Sequence, residues 1–399
     1  MFVQQFRRTA LRPREFPPNE IKFLAVIFGQ WGAVLCSVFA LGLMAPALKA
    51  QFAVTTLGTG VDNSIAYGQG GGQQVGIDSG AVVWTGSNAS EVSLNPAGAY
   101  SSTAFATNGT QQGGSANFVN ANFNDHAALW SGTAASFVDL QPAGASYSYV
   151  QALSATQQGG QAFFSGLGYA ALWSGSAASF QNLNPAGASQ SGIAAMSAAL
   201  QGGYAVIGGE QHAVLWSGTA SSFQDLNPAG ADLSVINGMS GTQQGGAAYF
   251  SSVPHAGLWS GTAGSFVDLD PGQPAGSVIN AMAGAFQAGT VLGSGGTIHA
   301  GLWEGTAGSF IDLQADITAA LGSQYTWSSL FGADIDGSTL YLVGEAIDPI
   351  DQTSIAILVA TPIPEPANGA GLTGLGVLGF AAWLRRCRQK GDRLEAESS

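Results

Sequence analysis

Apolar and polar residues alternate along this chain in short runs, and the runs return in the same order every 43 to 46 residues. One unit, residues 234–271, holds four β-compatible runs at 235–239, 247–251, 255–259 and 265–269, each bounded by Gly, Ser or Pro turn signals. No unit carries a helical period. Four short strands per unit, repeated at this interval, predict four-stranded antiparallel blades stacked around an axis. The fold class expected is therefore all-β, a β-propeller.

Tryptophan sets the period: Trp84, Trp130, Trp173, Trp216, Trp259 and Trp303, at gaps of 46, 43, 43, 43 and 44 residues. Ten residues after each stands Leu94, Leu140, Leu183, Leu226, Leu269 or Leu313. Seven after it stands Phe137, Phe180, Phe223, Phe266 or Phe310, with Glu91 breaking the pattern in the first copy. Large apolar residues kept in every copy read as core. The recurrent NPAGA (95–99, 184–188, 227–231) and TQQGG (110–114, 156–160, 242–246) read as turns whose glycines take φ > 0.

The ends supply the blade count. Residues 354–361, SIAILVAT, look like a seventh copy of the Trp strand without its Trp, and the strand that should follow is missing. Residues 52–58, FAVTTLG, form an orphan strand with nothing before it. Pairing the two predicts seven four-stranded blades, the ring closed by the N- and C-terminal strands, which removes an exposed edge. An insertion around 316–327 accounts for the longer last spacing.

Charge narrows the function. All 11 Lys and Arg lie outside residues 51–361, which carry 18 carboxylates. Nucleic acid is excluded as a partner, because phosphate binding needs cationic side chains to release counterions. Both cysteines, Cys36 and Cys387, are terminal as well, so the repeat domain has no disulfide, thiolate nucleophile or Cys-ligated metal.

The termini read as export devices. A basic stretch through Lys22, an apolar run over 23–43 and a small-residue segment ending at Ala50 read as a signal peptide over 1–50, with cleavage after Ala50, Ala47 as the alternative site and an uncleaved anchor as the alternative reading. The repeat domain follows over 51–361. Residues 362–399 hold Pro364-Glu365-Pro366, a Gly-rich apolar stretch over 367–384, and the basic cluster Arg385, Arg386, Arg388. The apolar stretch is near the length of a transmembrane helix, and the basic cluster holds its end in the cytoplasm. This ordered set resembles the PEP-CTERM sorting tail of Gram-negative bacteria. The resemblance implies transient inner-membrane insertion, processing by an exosortase, and a final place in the periplasm, on the cell surface or in a biofilm matrix.

The four histidines all lie four residues before a Trp, in His126-Ala-Ala-Leu-Trp130, His212-Ala-Val-Leu-Trp216, His255-Ala-Gly-Leu-Trp259 and His299-Ala-Gly-Leu-Trp303. These motifs resemble the HAF repeat of bacterial extracellular proteins, with Ala, Val or Gly in place of its Phe. Tyr169 and Gly80 take the His place in two other copies. Each His is expected to hydrogen-bond within its own blade. Asp139, Asp225, Asp268 and Asp312 recur at one position, where Asn182 and Ser93 substitute. All three types accept backbone hydrogen bonds in turns. Outside the repeat, Asp334, Asp336, Asp348 and Asp351 put four hard oxygen ligands in one unit, a calcium reading set against plain turn capping.

No catalytic constellation is legible, because no Cys, Lys or Arg is available as nucleophile or oxyanion partner. The function expected is that of an exported, non-enzymatic, monomeric surface or matrix protein acting through adhesion or carbohydrate contact. Its expected partners are the export machinery, exosortase, and extracellular polysaccharide or surface proteins. The alternative is a secreted polysaccharide hydrolase or lyase using acidic residues of the propeller channel.

Overall fold

A computed structural model describes residues 52–58, 63–119 and 124–363. Ala50, Pro364, Glu365, Pro366, Arg385, Arg386 and Arg388 lie outside the described residues. The described chain forms seven four-stranded antiparallel sheets, the blades of a propeller, numbered 1 to 7 by inner strands that begin at Ile65, Ala99, Tyr147, Ser191, Leu233, Ser277 and Trp327. Blade 5 is representative, with an inner strand Leu233–Ser240, a second Gln243–Phe250, a third Val253–Trp259 and an outer Val267–Asp268. Its outer strand is two residues shorter at its start than the run over 265–269 implies, because Ala263–Ser265 turn in a 3-10 helix first.

The ring closes as the orphan strands require. In blade 7 the strands Trp327–Asp336, Thr339–Asp348 and Thr353–Pro362 are completed by Ala53–Thr56 from the other end of the chain, in register Ala53 to Ala360. The Leu57 N–H then donates to the Ala356 carbonyl at 2.8 Å, the same bond that Leu140 makes to Ala127 in blade 2. Leu57 is thus the seventh copy of the Leu that follows each Trp by ten.

The core lies between blades rather than within them. Trp216 packs with Ile193 and Val214 of its own blade 4 against Leu172 and Leu183 of blade 3. Trp259 meets Leu215 and Leu226 of blade 4 in the same way, and donates its indole N–H to the Leu226 carbonyl at 2.9 Å. All six Trp are at most 1% exposed. The Trp, Leu and Phe period is therefore the period of the interfaces, and each large side chain can bury itself only because a neighbouring blade exists.

One helix, Gln314–Leu321, stands among the described residues, inside the insertion expected before blade 7. Two turns are too short to show a period, and only Gln314 and Ile317 are buried. Ile317 enters the core shared with Leu313, Leu330 and Leu340.

Two motifs play parts the sequence does not announce. NPAGA glycines such as Gly187 and Gly230 do take positive φ, at 86° and 85°. The glycines of TQQGG do not; they lie inside second strands. A Cβ on Gly114, Gly160 or Gly246 would stand 1.9 to 2.0 Å from the carbonyl oxygen of Thr103, Tyr149 or Val235 on the inner strand. Close backbone approach, not turn geometry, demands glycine there. The Gln just before the pair is buried, and its Oε1 accepts the backbone N–H of the Gly two places after the Trp, as in Gln244 to Gly261 at 2.8 Å.

Serine latches each blade to the next. Ser64, Ser102, Ser148, Ser191, Ser234, Ser277 and Ser328 accept a backbone N–H from the preceding blade at 2.9 to 3.1 Å. In blades 2 to 7 the same hydroxyl donates to the side chain of Asn95, Gln141, Asn184, Asn227, Asp270 or Gln314 in the connecting turn. The Asn of NPAGA is therefore a partner of this latch.

Candidate functional site

Every inner strand carries a β-bulge against its second strand at the level of the axial channel, and that of blade 2 carries another at Tyr100, which lines no part of the channel. At the channel the bulged residue has no cross-strand partner and turns its side chain inward, which is how bulges re-aim side chains elsewhere. The seven residues bulged there are Tyr67, Phe105, Gln151, Ala194, Asn237, Asn280 and Phe331. All seven line a cavity of about 450 Å³ at the propeller axis. Beyond this ring, toward the ends of the inner strands, Leu153, Met196, Met239 and Met282 surround a smaller space of about 150 Å³.

The wall of the larger cavity has two chemistries. One arc is aromatic: Tyr67 lies 5.8 Å from Phe331 and 5.4 Å from Phe105, and Phe105 lies 6.4 Å from Tyr149, measured between ring centroids. The opposite arc is built of amides, Gln151, Asn237 and Asn280. The Asn237 amide N–H donates to the Ile279 carbonyl at 3.0 Å, and that of Asn280 to the Leu330 carbonyl at 2.9 Å. Both asparagine amides are thereby fixed by the next blade, with Oδ1 left as an acceptor beside the cavity.

Gln161 sets the phenols at the seam between the arcs. It is 3% exposed, accepts the Tyr149 O–H at 2.7 Å, and donates to the Tyr204 hydroxyl at 2.8 Å and the Ser191 carbonyl at 2.7 Å. Tyr204 Oη accepts in this chain of bonds, so its own proton remains available to donate. Burial pushes the Tyr149 hydroxyl far above the usual phenol range, and Tyr204 and Tyr147 add to it. Tyr67 is raised too, by burial and then by the charge of Glu345. Glu345 is itself raised by burial, against a smaller lowering by the Ser354 hydroxyl. Tyr67 and Tyr149 are therefore neutral donors and acceptors. No Asp, Glu, Lys, Arg or His is among the residues lining either part of the channel.

The residues singled out by sequence lie elsewhere. Each histidine meets the recurrent Asp thirteen residues on: His126–Asp139 at 2.9 Å, and His212–Asp225, His255–Asp268 and His299–Asp312 at 2.8 Å. The bond is within one blade, between its third and outer strands, as expected for His. The second oxygen of each Asp accepts the N–H two residues on, as in Asp225 to Asn227 at 2.8 Å, as expected for a turn acceptor. Asp334, Asp336, Asp348 and Asp351 are not brought together in one place. Asp334 and Asp336 lie at the Asp336–Thr339 end of the second strand, and Asp348 and Asp351 at the other end of that ten-residue strand. Strand length separates the pairs. Asp334 accepts the Gly71 N–H at 2.9 Å, and Asp348 caps Ile350 and Asp351 at 2.9 and 3.2 Å. No group of three or more potential metal ligands comes together among the described residues. Asp334 lines a further space of about 420 Å³, which shares Gln69, Thr107 and Leu153 with the smaller part of the channel.

Sequence reading missed the axial ring because the bulged position is the one whose residue type does not repeat. Aligning the units and looking for that position, just before the small residue opposite the Gly pair, would have found it.

No protein-family model and no curated protein matches this chain. Among solved structures it is similar to TolB from Acinetobacter baumannii, at 11% identity and a TM-score of 0.40 over 64% of this chain and 65% of that one. It is also similar to a puromycin hydrolase, at 13% identity and a TM-score of 0.48 over 73% of this chain and 53% of that one. A nidogen–laminin complex is matched at 9% identity and a TM-score of 0.31 over 76% of this chain and 94% of that one. The chain thus spans less than two thirds of the length of TolB or of the hydrolase, and nothing about activity is carried over from any of them.

Proposed function

We propose that this protein is an exported, non-enzymatic surface or matrix protein whose propeller binds a neutral, hydroxyl-rich ligand, a glycan, in the axial cavity. The observation that carries the reading is the two-sided wall. Aromatic faces pack on the apolar C–H face of a sugar ring, while fixed amides and a phenol proton meet its hydroxyls. A wall without formal charge fits a neutral sugar and gives a phosphate or uronate nothing to pair with. The expected signal peptide and the PEP-CTERM-like tail support export followed by exosortase processing at the inner membrane, and outside the cytoplasm extracellular polysaccharide is the partner this reading expects.

Calorimetric titration of the mature protein with the neutral extracellular polysaccharide of the producing bacterium tests this. Wild type is expected to bind, and Tyr67→Ala and Asn237→Leu each to weaken binding at least about tenfold, the worth of about 1.4 kcal/mol. Binding unchanged in both variants would sink the axial site. Shortening of the polysaccharide during incubation would replace the binding protein with an enzyme. Recovery of the mature protein with peptides beyond Arg393 attached would sink exosortase processing while leaving the cavity reading intact.

A further inference from the structure

Aromatic residues continue past the axial cavity. Tyr149 at its wall lies 6.3 Å from Phe163, and Phe163 stacks on Tyr147 at 3.8 Å with the planes 16° apart. With Phe331, Tyr67 and Phe105 these rings form one unbroken series from the channel to the Tyr147 end of the inner strand of blade 3. All six are half-buried. Tyr147 and Tyr149 alternate with the buried Ser148 and Val150, so the period of the inner strand puts both rings on one face. The propeller itself does not require them. At the register position of Tyr149 the other blades carry Ile65, Thr103, Gly192, Val235, Val278 and Ser329. A second device holds the series in place, since the buried Gln161 amide fixes the Tyr149 hydroxyl.

We infer that the ligand is a chain of several sugar units, one end seated in the axial cavity and the following units laid over Tyr149, Phe163 and Tyr147. The inference rests on the reading of the cavity as a glycan site. From Phe331 to Phe163 the ring centroids stand 5.4 to 6.4 Å apart with planes 39° to 66° apart, so each ring offers a separate contact to a separate unit of the chain. A single sugar would fill only the cavity and leave the outer pair unused.

The test uses the mature protein and neutral oligosaccharides released from the producing bacterium's own extracellular polysaccharide, separated by length. Affinity is expected to rise several-fold from the shortest fragments to those of four or five units, then to level off. Phe163→Ala and Tyr147→Ala are expected to remove that rise and to leave the shortest fragments bound as in wild type, with melting temperatures confirming that both variants fold. Tyr67→Ala is expected to weaken all lengths alike. Length-independent binding by wild type, or a Phe163→Ala loss equal at every length, overturns the extended site while the axial cavity stands. Failure of every fragment to bind overturns both.

Discussion

At the scale of single residues, blade 7 departs from the repeat by placing a half-buried carboxyl on its second strand. Glu345 occupies the second-strand position that Gln161 and Tyr204 hold in blades 3 and 4, and burial raises its pKa above the ordinary value. A raised carboxyl favours the folded state while protonated; that contribution is complete below the unfolded value, about 4.3, and is lost as pH rises through the folded one. Glu345→Gln keeps a neutral side chain and an acceptor for Ser354. Its melting temperature is therefore expected to exceed that of wild type at pH 7 to 8 and to converge with it below about pH 4. Parallel curves across that range would show that the group does not titrate between the two states. The His–Asp pairs illustrate what could be read at this scale. Positions that change together across blades, Tyr169 with Asn182 and Gly80 with Ser93, while His keeps company with Asp, mark a contact that the repeat alone discloses. The partner itself, thirteen residues away, becomes visible only once the third and outer strands are paired in register.

At the scale of elements, polar bonds fix how one blade meets the next. Ser234 is fully buried, accepts the Ala213 N–H at 2.9 Å and donates to Asn227 at 2.5 Å. Ser234→Ala leaves a buried donor and a turn acceptor without partners, and the unsatisfied donor costs about 1–3 kcal/mol. Chemical denaturation should register that loss with an unchanged denaturant slope. A change below about 0.5 kcal/mol, the range of ordinary surface substitutions, would mean that the latch is replaced by water. The latch escaped sequence reading because Ser is abundant in this chain and its role depends on a neighbour 21 residues back, or 28 at the helix insertion. The Gly pair was legible as obligatory but misread in cause. A glycine required by an approaching carbonyl looks in sequence like a glycine required by a turn.

At the scale of the whole molecule, seven apolar interfaces form a ring, and the two that blade 7 shares with its neighbours draw on residues from opposite ends of the chain; the one toward blade 1 closes the ring. That interface gathers Leu57, Val343, Ala356 and Leu358 of blade 7 against Ala66, Val82 and Trp84 of blade 1. The closure was readable before any coordinates because a strand was missing at one end and surplus at the other. The axial site was not, since a ring of seven single residues drawn from seven units leaves no contiguous motif. Closure and site are nonetheless coupled: Tyr67 of blade 1 and Phe331 of blade 7 meet at 5.8 Å across this same seam. Deleting residues 52–58 strips the edge of the strand Thr353–Pro362 and removes the buried Leu57. A Leu truncated to Ala in a core costs about 2–5 kcal/mol, so loss of the entire strand is expected to exceed that. The deletion variant should unfold at lower denaturant, self-associate through the bared edge, and lose glycan affinity in proportion to the opening of the Tyr67–Phe331 contact. Adding the 52–58 segment back as a separate peptide should restore all three, because the open edge is the template it pairs with. A deletion variant that stayed monomeric with wild-type stability would show that six interfaces hold the ring without its clasp.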